Sequence, residues 1–490
     1  MPSQYSRKFV SLVTQSVKGK ANKIIFLSGA AGTGKTTLIK EINEKIPKSV
    51  IVTPTGISAL TAGGQTIHSF FKIPPAINPK LSKVKGGMAY NSIKNLDCLI
   101  IDEISMVRSD LFDAIDQRLQ MTKNNGKPFG GASIIIAGDP YQLDPVLKKS
   151  EEAAFYHPGY GGVFFFDSFI FKQMIKGNKF EAYELQNSFR QRDDGQFVEL
   201  LDNIRLGRNI SQTIVKFNDI SVKNVNRINL GIDDSFNKEN VITLTTINDI
   251  AESINNEKLE ALPGEDKKFI GKKTGKFLND QEKNLPAPEI LCLKEGAKVL
   301  FVKNDEDRRW VNGSQGVVTK IPDDKNFIEI DLNGTKCHVT TEKWEKIIYE
   351  YDDELDVFHK KVTGTYEQYP LRLGWALTIH RSQSLTLDKC VIDFGEGAFT
   401  HGQAYVALSR TRSINDIILL KGIKEEDIQI HPSVKKFYEN TEFYSMDNGE
   451  MITKEGLKRE NIELREQIDE LKRNLENRRG FLDDPFGKSE

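Results

Sequence analysis

One stretch near the start constrains the fold more than any other: "KIIFLSGAAGTGKTTLIKEI", residues 23–42. An apolar run, a glycine-rich turn of the form Gly29-x4-Gly34-Lys35-Thr36, and a helix-forming segment follow one another without a break. Such a loop works only where a buried parallel strand delivers it to a helix N-terminus, because its amides and the helix dipole must converge on phosphate oxygens. The chain therefore has to begin with an α/β unit. The next apolar runs agree: "SVIVTP" (49–54), "CLIIDE" (98–103) and "SIIIAGD" (133–139) are continuous rather than alternating. That pattern belongs to strands covered on both faces. A second series, "FEAYEL" (180–185), "VITLTT" (241–246), "WALTIH" (375–380), "KCVIDFG" (389–395) and "DIILLKG" (416–422), predicts a second parallel-sheet domain with no glycine-rich loop of its own.

At 490 residues the chain exceeds one hydrophobic core. Its net charge is −1, so a nucleic-acid site, if present, is a local groove and not a basic face. Cys98, Cys292, Cys337 and Cys390 are scattered, which argues against a zinc cluster or a disulfide framework and fits a reducing compartment. No apolar run of transmembrane length and no secretory signal are apparent, and a cytoplasmic protein is expected, at the nucleoid if the source is bacterial. Residues 297–366 have a different texture. "FIEIDL", Asn333-Gly334 and "KCHVTT" read as a hairpin, and with "AKVLFVKN" and "SQGVVTKI" they predict a small β-barrel inserted in the second domain. A Pro-, Gly- and Lys-rich insert at about 70–95 reads as a surface element. In the tail, Leu457, Asn461, Leu464, Ile468, Leu471 and Leu475 follow an a/d heptad seam. A monomer is expected; a dimer through this helix is the alternative to a charged helix packed on its own chain.

In the phosphate loop, Gly32, Thr33, Gly34, Lys35, Thr36 and Thr37 are the nucleotide-binding candidates, with Lys35 reaching the β- and γ-phosphates and Thr36 holding Mg²⁺. Asp102, ending "CLIID", is the second Mg²⁺ candidate, and Glu103 beside it is the candidate general base. Adjacent acids at a strand end also serve as helix caps. Gln142, in "AGDPYQLDPV", is placed to sense a γ-phosphate. Arg190 in "LQNSFRQ" and Arg410 in "YVALSRTRS" are either surface ion-pair residues or arginines that close the nucleotide site from the second domain.

Taken in order, "GAAGTGKTT", "TPTGISAL", "GGQTIHSFF", "IIDEISMVRSDLFDAID", "AGDPYQLDPV", "NSFRQ", "VNGSQGVV", "LTIHRSQSLT" and "AYVALSRTRS" resemble the superfamily 1B, RecD-like DNA helicases, and within them the Pif-type family. The resemblance implies an α/β fold of two RecA-like parallel-sheet domains. The first would comprise 1–65 and 96–179, with a wedge insert at 66–95; the second 180–296 and 367–435, with an SH3-like barrel at 297–366; and a tail 436–490. It implies ATP and Mg²⁺ as cofactors and single-stranded DNA and single–double-strand junctions as partners. The activity implied is 5′→3′ translocation and duplex unwinding, extending to G-quadruplexes, in repair, recombination or telomere maintenance. Arg190 and Arg410 would be arginine fingers. Pro54, Thr55, Gly56, Thr66, His68 and Ser69 would line the DNA path on the first domain, and Thr246 and the stretch Thr378–Gln383, with Thr378, His380 and Ser382 foremost, on the second. An adenine-reading glutamine would be Gln4 or Gln15. Where the family has glycine in "HKSQG", this chain has Ser384. Neutral grips and stacking platforms suit a translocase, and Trp310, Phe70, Phe71 and Tyr369 are stacking candidates that core packing would equally explain. An RNA helicase, and a nucleotide-dependent binding switch that never unwinds, remain the alternative readings.

Overall fold

The computed structural model describes residues 4–453 apart from 148, 157–158, 192–193, 230–240, 324–325, 384 and 448–449. The heptad seam of the tail and Ser384 lie outside the described residues. The larger sheet runs β6 (Phe180–Leu185), β1 (Ile24–Gly29), β5 (Ser133–Gly138), β4 (Cys98–Ile101), β2 (Ser49–Thr53) and β3 (Gln65–Thr66), all parallel. Every residue of β1, β2, β4 and β5 is buried, which is why these strands read as unbroken apolar runs. α1 (Gln4–Lys18) and α2 (Lys35–Lys45) cover one face through Phe9, Val10, Val13, Leu38 and Ile39.

β6 corrects the sequence-based division. "FEAYEL" was expected in the second domain, yet it pairs with β1 from Ile24↔Phe180 to Gly29↔Leu185. A short apolar run carries no label for its sheet, and parallel pairing is non-local by nature. Likewise Phe443–Asp447, within the expected tail, adds a parallel strand beside β6, and Glu450–Thr453 turns back antiparallel.

The second sheet has the order Ala376–Thr378, β7 (Val241–Thr245), Lys389–Asp393, Ile417–Leu419, again all parallel. The expected inserted barrel divides in two. Lys298–Phe301, Gln315–Lys320, Ile328–Leu332, Thr335–Val339 and Leu371–Leu373 form a five-stranded antiparallel sheet, with Asn333 and Gly334 both at positive φ in the hairpin turn. Glu342–Asp352 and Val357–Gln368 instead form a long hairpin that pairs with Lys272–Lys273. This hairpin docks on the first unit: Ile51 N donates to Tyr349 Oη (3.2 Å), Ser92 Oγ to Tyr349 O (2.8 Å) and Gln65 Nε2 to Ile347 O (2.8 Å).

The 66–95 insert is anchored, not merely superficial. Phe70, Phe71, Ile73 and Ile93 enter the main core, and the loop between them is tied to the helix Ser109–Lys123. Arg118 donates to Ser82 O and Lys72 O, Arg108 to Ala76 O, and Asp110 accepts from Asn78 N. This explains the charged yet buried texture of "RSDLFDAIDQR": its acids accept backbone amides that would otherwise be orphaned. Asp113, which accepts from Phe169 N and Ile170 N, is pushed by burial up to about 6, the two amides opposing the shift. Its folded value lies above the unfolded one, so its contribution is fully present below about pH 4 and lost as pH rises through 6. Between pH 4 and 7.5 the parent should therefore lose ~2–3 kcal/mol more stability than Asp113→Asn, measured by urea unfolding; parallel pH profiles would refute this.

Candidate nucleotide site between the two units

The loop after β1 is shaped by its glycines. A Cβ at Gly29 would lie 2.8 Å from Thr33 Oγ1 and 3.0 Å from Leu185 O, and Gly32 and Gly34 adopt left-handed φ values of 78° and 83°. Lys35 opens α2, and its Nζ donates to Gly29 O (2.8 Å) and Ala30 O (2.9 Å) inside the loop. Burial lowers its pKa, while the carboxylates of Asp139, Glu103 and Asp102 pull the other way. Thr33 is buried and donates to Ala30 O, whereas Thr37 is exposed. Thr36 Oγ1 donates to Asp102 Oδ2 (2.9 Å), so the two expected Mg²⁺ ligands already meet. Burial raises the Asp102 pKa; the Thr36 hydroxyl, the Glu103 amide and Lys35 oppose it. Both atoms are hard oxygens, and no cluster of three His, Cys, Asp or Glu capable of holding a metal occurs among the described residues. That donor set fits Mg²⁺ completed by phosphate oxygens and water.

Glu103 follows at φ 54°, a left-handed conformation costly for a residue with a side chain. From this strained turn just past β4 its carboxylate meets Gln383 of the second unit. Gln142, 8% exposed, donates from Nε2 to Asp139 Oδ2 (3.3 Å) at the end of β5.

Residues of the second unit complete this cleft. The stretch 187–191 joins the two: Phe189 N donates to Gly32 O (2.9 Å), Ser188 Oγ to Ala31 O (3.3 Å), and Gln191 Nε2 to Thr411 O (2.7 Å). Arg190 lies with its Cβ against Gly32 and donates to Thr386 Oγ1 (3.0 Å) and Ser409 O (2.8 Å); burial lowers its pKa to about 10. Arg410 is fully buried, donating to Val406 O (2.6 Å) and Ser382 O (3.2 Å), and burial with Arg190 nearby lowers it to about 9. Thus Arg190 stands at the loop, and Arg410 stands behind it within the second unit.

Gln383, expected on the DNA path as the end of Thr378–Gln383, reaches the cleft instead, and three further residues, Tyr405, Arg205 and Phe189, escaped the sequence reading. Gln383 Nε2 donates to Glu103 Oε2 (3.3 Å) and Gln142 Oε1 (3.4 Å). Tyr405 Oη accepts from Ala31 N (3.1 Å). Arg205 pairs with Asp139 (3.0 Å) and Glu184 (3.5 Å), its guanidinium over the Tyr141 ring. Phe189 is 63% exposed beside Gly34, an apolar surface next to a phosphate loop. Gln383 and Phe189 sit inside quoted motifs, whereas Arg205 in "DNIRLG" carries no local signal.

The expected DNA-path residues divide by exposure. Pro54, Thr55 and Gly56 are partly exposed at the N-terminus of α3 (Gly56–Ala62), which Thr55 caps by accepting from Ser58 N (3.2 Å). Thr66 caps α4 (Ile67–Phe71) in the same way through Ser69 N, and His68 Nδ1 bonds Ile73 O (3.0 Å). The two units do share a different contact at a strand end: Thr53 Oγ1 at the end of β2 donates to Thr55 O, and Thr245 Oγ1 at the end of β7 donates to Ile247 O. His380 is exposed, but Thr246 and Thr378 are buried. Ser382 is fully buried and donates to Ile379 O (2.7 Å), so its hydroxyl supports the turn and does not line a path. Trp310, Phe70, Phe71 and Tyr369 are all core residues and are withdrawn as stacking platforms.

Fold and site together define a phosphate-loop NTPase architecture in which a second parallel-sheet unit walls the nucleotide cleft. The profile of the PIF1-like helicases matches residues 3–214. Human ATP-dependent DNA helicase PIF1 is 31% identical over 448 residues, 89% of this chain and 63% of that protein. Solved structures of Bacteroides sp. Pif1 cover 90% of this chain and 96% of theirs. The ADP-AlF4 complex is 31% identical with a TM-score of 0.78, and the unliganded form 32% identical with 0.76. The same protein bound to single-stranded DNA gives 0.60 at 31% identity. The chain belongs to the PIF1-like helicase family. It spans about three-fifths of the length of the curated human relative.

Proposed function

We propose that this chain is an ATP-dependent DNA helicase that moves 5′→3′ on single-stranded DNA and opens duplexes at single–double-strand junctions. The observation that carries the reading is that the hydrolytic carboxylate Glu103 sits in a loop-and-strand cleft contacted from the second unit by Gln383, with Arg190 and Tyr405 on the same phosphate loop. A nucleotide in that cleft touches both units, so its binding and release change their relation. Lys35 and the amides of Gly32–Thr37 bind the triphosphate; Thr36 and Asp102 would hold a Mg²⁺, which would supply neutralisation of phosphate charge. Glu103 takes the proton of the attacking water, and Gln142 contacts the γ-phosphate. Arg190, and Arg410 once it leaves its carbonyl partners, stabilise charge on the transferring group. Phe189 offers a face to the nucleotide base.

Single-stranded DNA follows the helix-start residues Pro54–Gly56, Thr66, His68 and Ser69 on one unit and His380 on the other, with Thr246, Thr378 and Ser382 holding the local backbone. The Bacteroides relative's single-stranded DNA complex supports this partner. Among the described residues no helix is long and apolar enough to cross a membrane. If the source is bacterial, the DNA reading places the chain in the cytoplasm at the nucleoid. ATP turnover measured with and without single-stranded DNA tests the proposal. We expect stimulation of about tenfold or more, within ordinary two-site coupling. An equal rate in both would contradict it, and stimulation by RNA alone would move the track to RNA.

A further inference from the structure

The turn Thr378–Gln383 has two ends with different neighbours. His380 is exposed, whereas Gln383, three residues on, reaches the nucleotide cleft of the other unit. The turn between them is tightly bonded: Ser382 N donates to Thr378 O (3.0 Å), Gln383 N to His380 O (3.3 Å) and Ser382 Oγ to Ile379 O (2.7 Å). Arg410 clamps it further through Ser382 O. A body this constrained moves as one piece.

The orientation of the Gln383 amide follows from its partners. Gln142 turns its Nε2 to the Asp139 carboxylate, so its Oε1 faces Gln383. Glu103 presents a carboxylate oxygen. Two acceptors require the NH₂ group of Gln383, which supplies two donors. One side chain of the second unit thus holds both the expected base and the expected γ-phosphate contact. A donor on Glu103 Oε2 takes one of the roughly four lone-pair sites of the carboxylate and fixes how the side chain is held. The chain with this contact matches the unliganded (TM-score 0.76) and ADP-AlF4-bound (0.78) forms of Bacteroides Pif1 better than the single-stranded-DNA-bound form (0.60).

We propose that Gln383 is a positioning residue that links the strand path at His380 to hydrolysis at Glu103, setting how strongly DNA stimulates turnover. The inference rests on the helicase reading above. With oligo-dT as probe, the test compares ATP turnover of the full chain and Gln383→Ala, with and without DNA. In the variant the two rates should converge, reducing the stimulation ratio by about tenfold, within ordinary site–site coupling. A ratio preserved within about twofold, even if both rates fall together, overturns the inference. Gln383→Met provides a second readout. It keeps the length of the side chain and removes both donors, so its stimulation ratio should fall as in Gln383→Ala. A ratio kept at the parent's value indicates a merely structural contact and counts against the proposal. If the parent shows no stimulation, the helicase reading falls with it; a stimulated parent with an equally stimulated Gln383→Ala sinks this inference alone.

Discussion

Lys35→Ala should lower ATP turnover by on the order of 10³-fold, the scale for removing a charged group that stabilises a transition state. Among the described residues the arginines at the cleft have places and roles of their own: Arg190 and Arg410 enter from the second unit, held at Thr386 and Ser409 and at Val406 and Ser382, and Arg205 is paired with Asp139. The loop itself should survive, because its path is set by Gly29, Gly32 and Gly34 and by the bonds from Phe189 and Ser188. Lys35 contributes two hydrogen bonds to loop carbonyls from a half-buried position, so stability should change by only about 1 kcal/mol. Phosphate release and thermal melting on the same sample check both halves. Turnover within about tenfold of the parent would remove Lys35 from the site.

Arg205→Ala should cost on the order of 3–5 kcal/mol, because it strands a buried carboxylate pair. Asp139 and Glu184 are nearly inaccessible, and Arg205 is the cation that meets both. The guanidinium also lies over Tyr141 at 5.0 Å and Tyr438 at 5.8 Å; burial opposes its charge, but Asp139, with Tyr438 and Glu184, outweighs burial and holds it firmly charged. The pair lies beside the cleft, with Asp139 also accepting from Gln142, so loss of the cation should disturb the two-unit contact as well as the fold. Urea unfolding of Arg205→Ala, Asp139→Asn and the double variant gives the coupling directly. A loss below about 1 kcal/mol for Arg205→Ala would show the pair to be energetically idle.

The phosphate loop, the buried strands around it and the two parallel-sheet units were legible because each is a local pattern: a glycine spacing, an unbroken apolar run, an Asn-Gly turn. What was not legible depends on long-range pairing. "FEAYEL" looks the same whichever sheet receives it, and only the register with β1 assigns it to the first. The residues 342–368 alternate like barrel strands, yet Tyr349 carries them to Ile51 on the other unit. Within the site, Lys35, Thr36, Asp102 and Glu103 come together as their spacing implies. Ser382 and the aromatic candidates fail for one physical reason, burial, which residue type alone does not reveal. Arg205 is invisible in sequence because its partner lies 66 positions away, and Tyr405, although inside "AYVALSRTRS", is not singled out because Ala31 lies 374 positions away.

The central claim is directional, ATP-driven motion on a single strand. It is tested most directly by unwinding otherwise identical duplexes that carry either a 5′ or a 3′ single-stranded tail, with ATP present or withheld. The account predicts strand separation of the 5′-tailed duplex only, and only with ATP. Opening of the 3′-tailed duplex alone, or of neither while ATP is being hydrolysed, would contradict it.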